Sequence, residues 1–69
     1  MSTLTINGEK RSFPNGVPTH LGALLKELDV NAATVVAEVD GAIIKRECFA
    51  ETSLESGQTI ELVRFVGGG

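Results

Sequence analysis

The residues best placed to do chemistry in this chain are its last ones. The sequence closes "LVRFVGGG", an apolar run followed by Gly67, Gly68 and Gly69. Glycine makes up about 7% of average usage, so a chance triplet at one fixed place has odds of roughly 3 in 10,000. Without a Cβ, three glycines can lie extended in a channel too narrow for side chains. They span at most about 10 Å, enough to reach into a neighbour's pocket. At the tip, Gly69 presents a carboxylate with no side-chain branch to hinder attack at its carbonyl. A carboxylate is a poor acyl electrophile until it becomes an anhydride, a conversion that a partner enzyme using ATP can perform. The alternative is a frayed end without function.

Other candidates for chemistry are few. His20 is the only histidine and falls at the predicted start of a helix, where capping or surface exposure explains it better than catalysis. A lone histidine anchors no zinc site without further strong ligands, and no Ser-His-Asp arrangement is evident. Cys48 stands alone, so neither an intrachain disulfide nor a thiolate metal cluster is available to this sequence. Beside Phe49, it reads as a half-buried structural cysteine rather than a nucleophile. Glu47, Glu51 and Glu55 recur every four residues and read as a solvated face. The glycines at 8, 16, 41 and 57 are turn glycines and form no GxGxxG phosphate cradle. No resident cofactor or metal is expected.

Composition narrows the field of partners. Nine acidic residues against six basic ones leave a net charge of -3 and no basic run. Nucleic acid requires Lys and Arg clustered on one face, and three Phe with no Trp or Tyr supply no stacking platform. An acidic surface suits a basic protein partner instead. No stretch nears the roughly 18 apolar residues of a membrane span, and "MSTLTINGEK" lacks the apolar core of a signal peptide. The expectation is a cytoplasmic protein, monomeric when free. At 69 residues it is one domain that buries only roughly 60% of its unfolded surface.

Two dipeptides organise the elements that must position the tail. Asn7-Gly8 and Asp40-Gly41 each lie between strand-like runs. Both are the pairs that a two-residue type I′ turn needs, because its two central residues take positive φ. Hairpins are therefore predicted over about 3–13 and 34–45. Leu4 and Ile6 share one face of the first strand, with Thr3 and Thr5 on the other. The second hairpin is apolar on both faces, so it should lie centrally in the sheet or carry a contact surface. Between the hairpins, Leu21, Leu24, Leu25 and Leu28 follow helical spacing. Thr19 or His20 caps that helix, and Pro18 bars an earlier start. Gly22 weakens the first turn and is expected to permit a close approach to the sheet. A short helical turn around Phe49 should drop Phe49 and Leu54 into the core. Ser56-Gly57 turns the chain into a final strand, "TIELVRFV", with Ile60 and Leu62 inward and Glu61 outward. One helix over a sheet of about five strands gives a two-layer α+β domain over 1–66, with a flexible glycine tail at 67–69.

This order of elements with a terminal diglycine resembles the ubiquitin-like β-grasp fold. Within that fold the chain resembles the sulfur carriers of thiamine (thiazole) biosynthesis, the ThiS family. The likeness is carried by "INGE" at 6–9, "LLKEL" at 24–28, "AEVDGAIIKRE" at 37–47 and, most specifically, "GQTIELVRFVGGG" at 57–69. The chain departs from the family pattern at Lys45, at Phe49 and in a longer "GVPTHLG" loop. The resemblance implies a mixed sheet whose last strand lies centrally, parallel to the first strand and beside the third. It implies a carrier rather than an enzyme. An E1-like enzyme would adenylate Gly69 with MgATP, and a cysteine desulfurase relay would supply sulfur to form a thiocarboxylate. Thiazole synthase would receive that sulfur. Two alternatives share the tail: the small subunit of molybdopterin synthase, and a ubiquitin-like modifier joined to lysines through Gly69. A plain interaction module with a passive tail is a third.

With the last strand beside the third, alternation puts Val36, Ile43 and Val63 on the sheet face away from the helix. These three are expected to form an exposed apolar patch that Phe65 and Val66 extend towards the tail. Such a patch marks a partner surface. Gly67 and Gly68 would lie in the partner's channel.

Overall fold

A computed structural model describes residues 2–64. Both turn dipeptides adopt the backbone that their chemistry favours. Asn7 and Gly8 have φ of 51° and 84°, and Asp40 and Gly41 have φ of 51° and 87°. The first turn joins β1 (Ser2–Ile6) to β2 (Glu9–Phe13), with Ile6 opposite Glu9. The second joins β3 (Val35–Val39) to β4 (Ala42–Ile44), with Val39 opposite Ala42.

The single α-helix among the described residues, α1, runs Leu21–Glu27 and buries Leu21, Leu24 and Leu25. His20, not Thr19, is its N-cap: the ring Nδ1 accepts from the Ala23 amide at 3.0 Å. The helix ends in a Schellman motif. The Val30 amide donates to Leu25 O at 2.8 Å and the Asp29 amide to Lys26 O at 3.1 Å. Asp29 takes the left-handed φ of 59° that glycine commonly fills at this place.

A 3₁₀ turn over Arg46–Glu51 buries Phe49, and Leu54 is also in the core, both as expected. This segment passes the start of α1, tied there by Leu21 N to Thr52 O (2.9 Å) and Leu54 N to Thr19 O (3.2 Å). The chain then enters β5 (Thr59–Arg64). The sheet order is β2-β1-β5-β3-β4, with β5 parallel to β1 and antiparallel to β3. The last strand is therefore the middle one. Leu4 and Ile6 from β1, Ala37 from β3 and Ile60 from β5 are buried together with the three helix leucines in one cluster. The two-layer α+β architecture is the one expected. No helix among the described residues is long and apolar enough to cross a membrane.

The second hairpin, expected to lie centrally or to carry a contact surface, is divided between the two: β3 is interior, and β4 is a three-residue edge strand. The apolar outer residue on β4 thus belongs to an exposed surface. Gly22 does not serve a close approach to the sheet. A Cβ there would lie 3.2 Å from the His20 ring and 3.8 Å from the Ala50 Cα. The glycine makes room for the ring that caps the helix.

Candidate functional site

The tail is carried by β5, so the candidate site begins with what fixes that strand. On one side β5 pairs with β3 over five residues, from Val39 opposite Ile60 to Val35 opposite Arg64. On the other side the backbone ladder with β1 is short, Thr5 opposite Thr59 and Ile6 opposite Ile60. Two side chains lengthen these ladders. Asn7 N donates to Ile60 O at 2.9 Å, and Asn7 Oδ1 accepts from Leu62 N at 2.7 Å. The carboxamide thus replaces the strand acceptor that is lost when β1 turns away. Asp40 acts likewise at the other end. Its amide donates to Thr59 O at 2.8 Å, and its Oδ1 accepts from Thr59 N at 2.9 Å. The residues that open the two hairpin turns therefore clasp the central strand from opposite sides. The turn chemistry of Asn7 and Asp40 is legible in the sequence, but this second role is not, because the amides that donate to their side chains are 55 residues away in one case and 19 in the other.

The base of β5 is secured on the same side. Thr5 N donates to Gln58 O at 3.0 Å, Gly57 N to Thr3 O at 2.8 Å, and Thr3 N to Ser56 Oγ at 3.0 Å. A strand held on both edges and packed on α1 through the fully buried Ile60 is a stiff mount for whatever follows it. The apolar character of β5 is thus explained by its central place.

Beyond Arg64 lie the residues singled out for tail chemistry. Phe65, Val66, Gly67, Gly68 and Gly69 fall outside the described residues. The rest of the expected partner surface is described. Val36 and Val63 stand directly opposite each other on β3 and β5, and Ile43 lies opposite Glu38 across the β3–β4 pair. Val36 is half-buried, Val63 is 58% exposed and Ile43 is 69% exposed. Among the described residues, the last two are the large apolar side chains left open to solvent. The structure therefore brings Val36, Ile43 and Val63 to one sheet face. It also sets two carboxylates among them, Glu38 opposite Glu61, which local sequence pattern does not foretell.

The remaining candidates are accounted for structurally. His20 has its Nδ1 lone pair engaged in the helix cap. Cys48 is a free thiol of intermediate exposure within the 3₁₀ turn, where its carbonyl accepts from Thr52 Oγ1 at 2.8 Å. Among the described residues no group of three or more His, Cys, Asp or Glu is arranged to hold a metal ion. A cleft of about 460 Å³ opens at the C-terminal end of α1, lined by Ile6, Val35 and Leu62 together with Arg11, Glu27 and Arg64. Its charges are of mixed sign, and no nucleophile or general-base arrangement lines it.

A mixed five-stranded sheet with its last strand central, grasping one helix, defines a ubiquitin-like β-grasp domain. The sequence model of the ThiS family matches residues 4–69, so the match runs through all three terminal glycines. The chain belongs to the ThiS family, the sulfur carriers of thiamine biosynthesis. The crystal structure of a thiamine biosynthesis protein (ThiS) from Geobacter metallireducens superposes with a TM-score of 0.84 at 32% identity, covering 97% of this chain and 99% of that one. The solution structure of the Geobacter protein gives a TM-score of 0.79, covering 97% and 87%. A thiazole synthase of Paramagnetospirillum magneticum is 36% identical over 66 residues, 96% of this chain. The chain spans only 20% of that protein's length. An uncharacterized protein of Porphyra purpurea, ycf40, is 30% identical over 67 residues, 97% of this chain and 92% of that protein.

Proposed function

We propose that the chain carries sulfur on its own C-terminus and acts as a co-substrate rather than a catalyst. The observation that carries this reading is the family match that extends through Gly69, on a domain whose central strand ends at Arg64, five residues before it in sequence. An E1-like enzyme binds MgATP and the tail together. The Gly69 carboxylate oxygen attacks the α-phosphate and pyrophosphate leaves. A persulfide supplied by a desulfurase relay then attacks the carbonyl carbon and AMP leaves; a thiol reductant cleaves the resulting acyl disulfide, itself becoming the new disulfide, and the terminus is left as a thiocarboxylate. Gly67 and Gly68 lie in the activating enzyme's channel, where any Cβ would widen the chain. The face bearing Val36, Ile43 and Val63 docks on that enzyme, with Phe65 and Val66 continuing it towards the tail. ATP and magnesium belong to the partner, and the carrier needs no cofactor of its own.

Thiazole synthase is the proposed acceptor of the sulfur. The thiazole synthase of P. magneticum that contains a stretch like this whole chain supports the assignment. A carrier joined to its acceptor meets it at high effective concentration, an advantage only if the two work in sequence. The test is removal of Gly68 and Gly69. The shortened chain should fold normally yet support no ATP-pyrophosphate exchange by the activating enzyme and no thiazole formation. Undiminished exchange by the shortened chain would reject the tail as the reactive group.

A further inference from the structure

The outer sheet face holds an arrangement that the tail chemistry does not require. Along β3 and β5, Glu38 stands opposite Glu61 and Val36 opposite Val63; on the far side of Glu38 stands Ile43 of β4. Residues so opposed have Cβ atoms about 5 Å apart. Two carboxylates thus lie side by side with the exposed or half-buried aliphatic Val36, Ile43 and Val63 around them, while Thr3, Thr5, Lys10 and Ser12 occupy the β1–β2 half of the same face. Both glutamates are themselves half-buried. Neither carboxylate hydrogen-bonds to another side chain or amide among the described residues. Lys45, one residue beyond β4, is exposed and makes no such bond to them either.

Like charges set directly opposite weaken a sheet, and this pair sits in a chain already at -3. The free domain gains nothing from it. A cation placed between the two carboxylates converts the repulsion into two charge-assisted hydrogen bonds. An arginine fits the site better than a lysine. Its planar fork presents five donors, its head is weakly hydrated, and its aliphatic stem can lie along Val36, Ile43 and Val63.

We propose that this face docks an apolar protein surface from which one arginine projects to bridge Glu38 and Glu61. The inference rests on the carrier reading, since the partner meant is the enzyme that activates the tail. It adds that docking is selected by charge as well as by apolar area. The repulsion in the free carrier is part of the selection, because only a partner with a well-placed cation relieves it.

The test measures calorimetric binding of the whole chain to its E1-like activating enzyme at low and moderate salt. Wild type is compared with E38Q, E61Q and the double variant, and the thermal midpoint of each free chain is recorded. Each glutamine keeps the side-chain size. Losing charge-assisted bonds should weaken binding by the double variant roughly 10- to 100-fold and flatten its salt dependence. The midpoint of the free chain should hold or rise. Affinity and salt dependence equal to wild type would overturn the proposal. So would a loss of affinity that follows a loss of thermal stability, because the pair would then be structural. Wild-type chain that neither binds nor is activated would reject the carrier reading itself, and the proposal with it.

Discussion

Asn7 offers the sharpest test of how the central strand is held. Its side chain supplies one hydrogen bond, to Leu62 N at 2.7 Å, and its backbone takes a left-handed φ of 51°. Three substitutions separate these roles. Asn7→Gly keeps the φ but removes the acceptor; an intramolecular hydrogen bond contributes about 1 kcal/mol net, so stability should fall by about that much. In a domain of this size that corresponds to roughly 4–8 °C in Tm. Asn7→Ala also removes the acceptor, and it adds about 1–2 kcal/mol because alanine lacks the short polar side chain that lets asparagine take the left-handed region. Its total loss should be about 2–3 kcal/mol. Asn7→Asp retains both an oxygen acceptor and tolerance of positive φ, so it should stay close to wild type. The assays are urea unfolding and amide hydrogen exchange read at Leu62. Protection of the Leu62 amide should drop in the Gly and Ala variants and persist in the Asp variant. If Asn7→Gly matches wild type in both stability and Leu62 protection, the carboxamide is not part of the β5 ladder and the clasp does not exist.

Further outcomes follow from the cap and from the outer face. His20→Ala removes the acceptor for the Ala23 amide and should cost about 1 kcal/mol in thermal or chemical unfolding. Gly22→Ala should bring no gain in the wild-type chain, where its Cβ would crowd the His20 ring at 3.2 Å. In a His20→Ser background the same change should stabilise by up to about 1 kcal/mol, a sign change that a double-mutant cycle reads directly. Ile43→Asp and Val63→Asp should each weaken binding to the activating enzyme while leaving the fold intact, since both positions are exposed; Ile43→Asp should lower Tm modestly, because its carboxylate stands directly opposite Glu38. Unchanged affinity in calorimetry would remove this face from the docking surface.

What the sequence disclosed follows the range of the interactions involved. The Asn7-Gly8 and Asp40-Gly41 turns, the leucine stripe of α1 and the alternation in β1 are set by neighbours in sequence, and the structure has each in place. The choice between Thr19 and His20 as cap turned on a ring nitrogen reaching three residues ahead, which composition alone leaves open. The role of Gly22 is hidden in the sequence because its crowding neighbour is a side chain two residues away, not the sheet. That β5 lies between β1 and β3 came through family resemblance, since no local pattern orders strands. The outer patch was within reach because period-2 alternation and a hairpin turn fix which residues share a face. The opposition of Glu38 and Glu61, like the reach of Asn7 to Leu62, depends on the register of β5, and only the folded chain sets that register.

The central claim is that the Gly69 carboxylate is the reactive group. Intact-mass spectrometry of the chain after incubation with ATP, the activating enzyme and a sulfur source tests it most directly. The expected result is a mass gain equal to the exchange of one oxygen for one sulfur, confined to the C-terminal peptide and absent when Gly69 is deleted. An unchanged mass, under conditions where the activating enzyme turns over with an independent carrier, would contradict it.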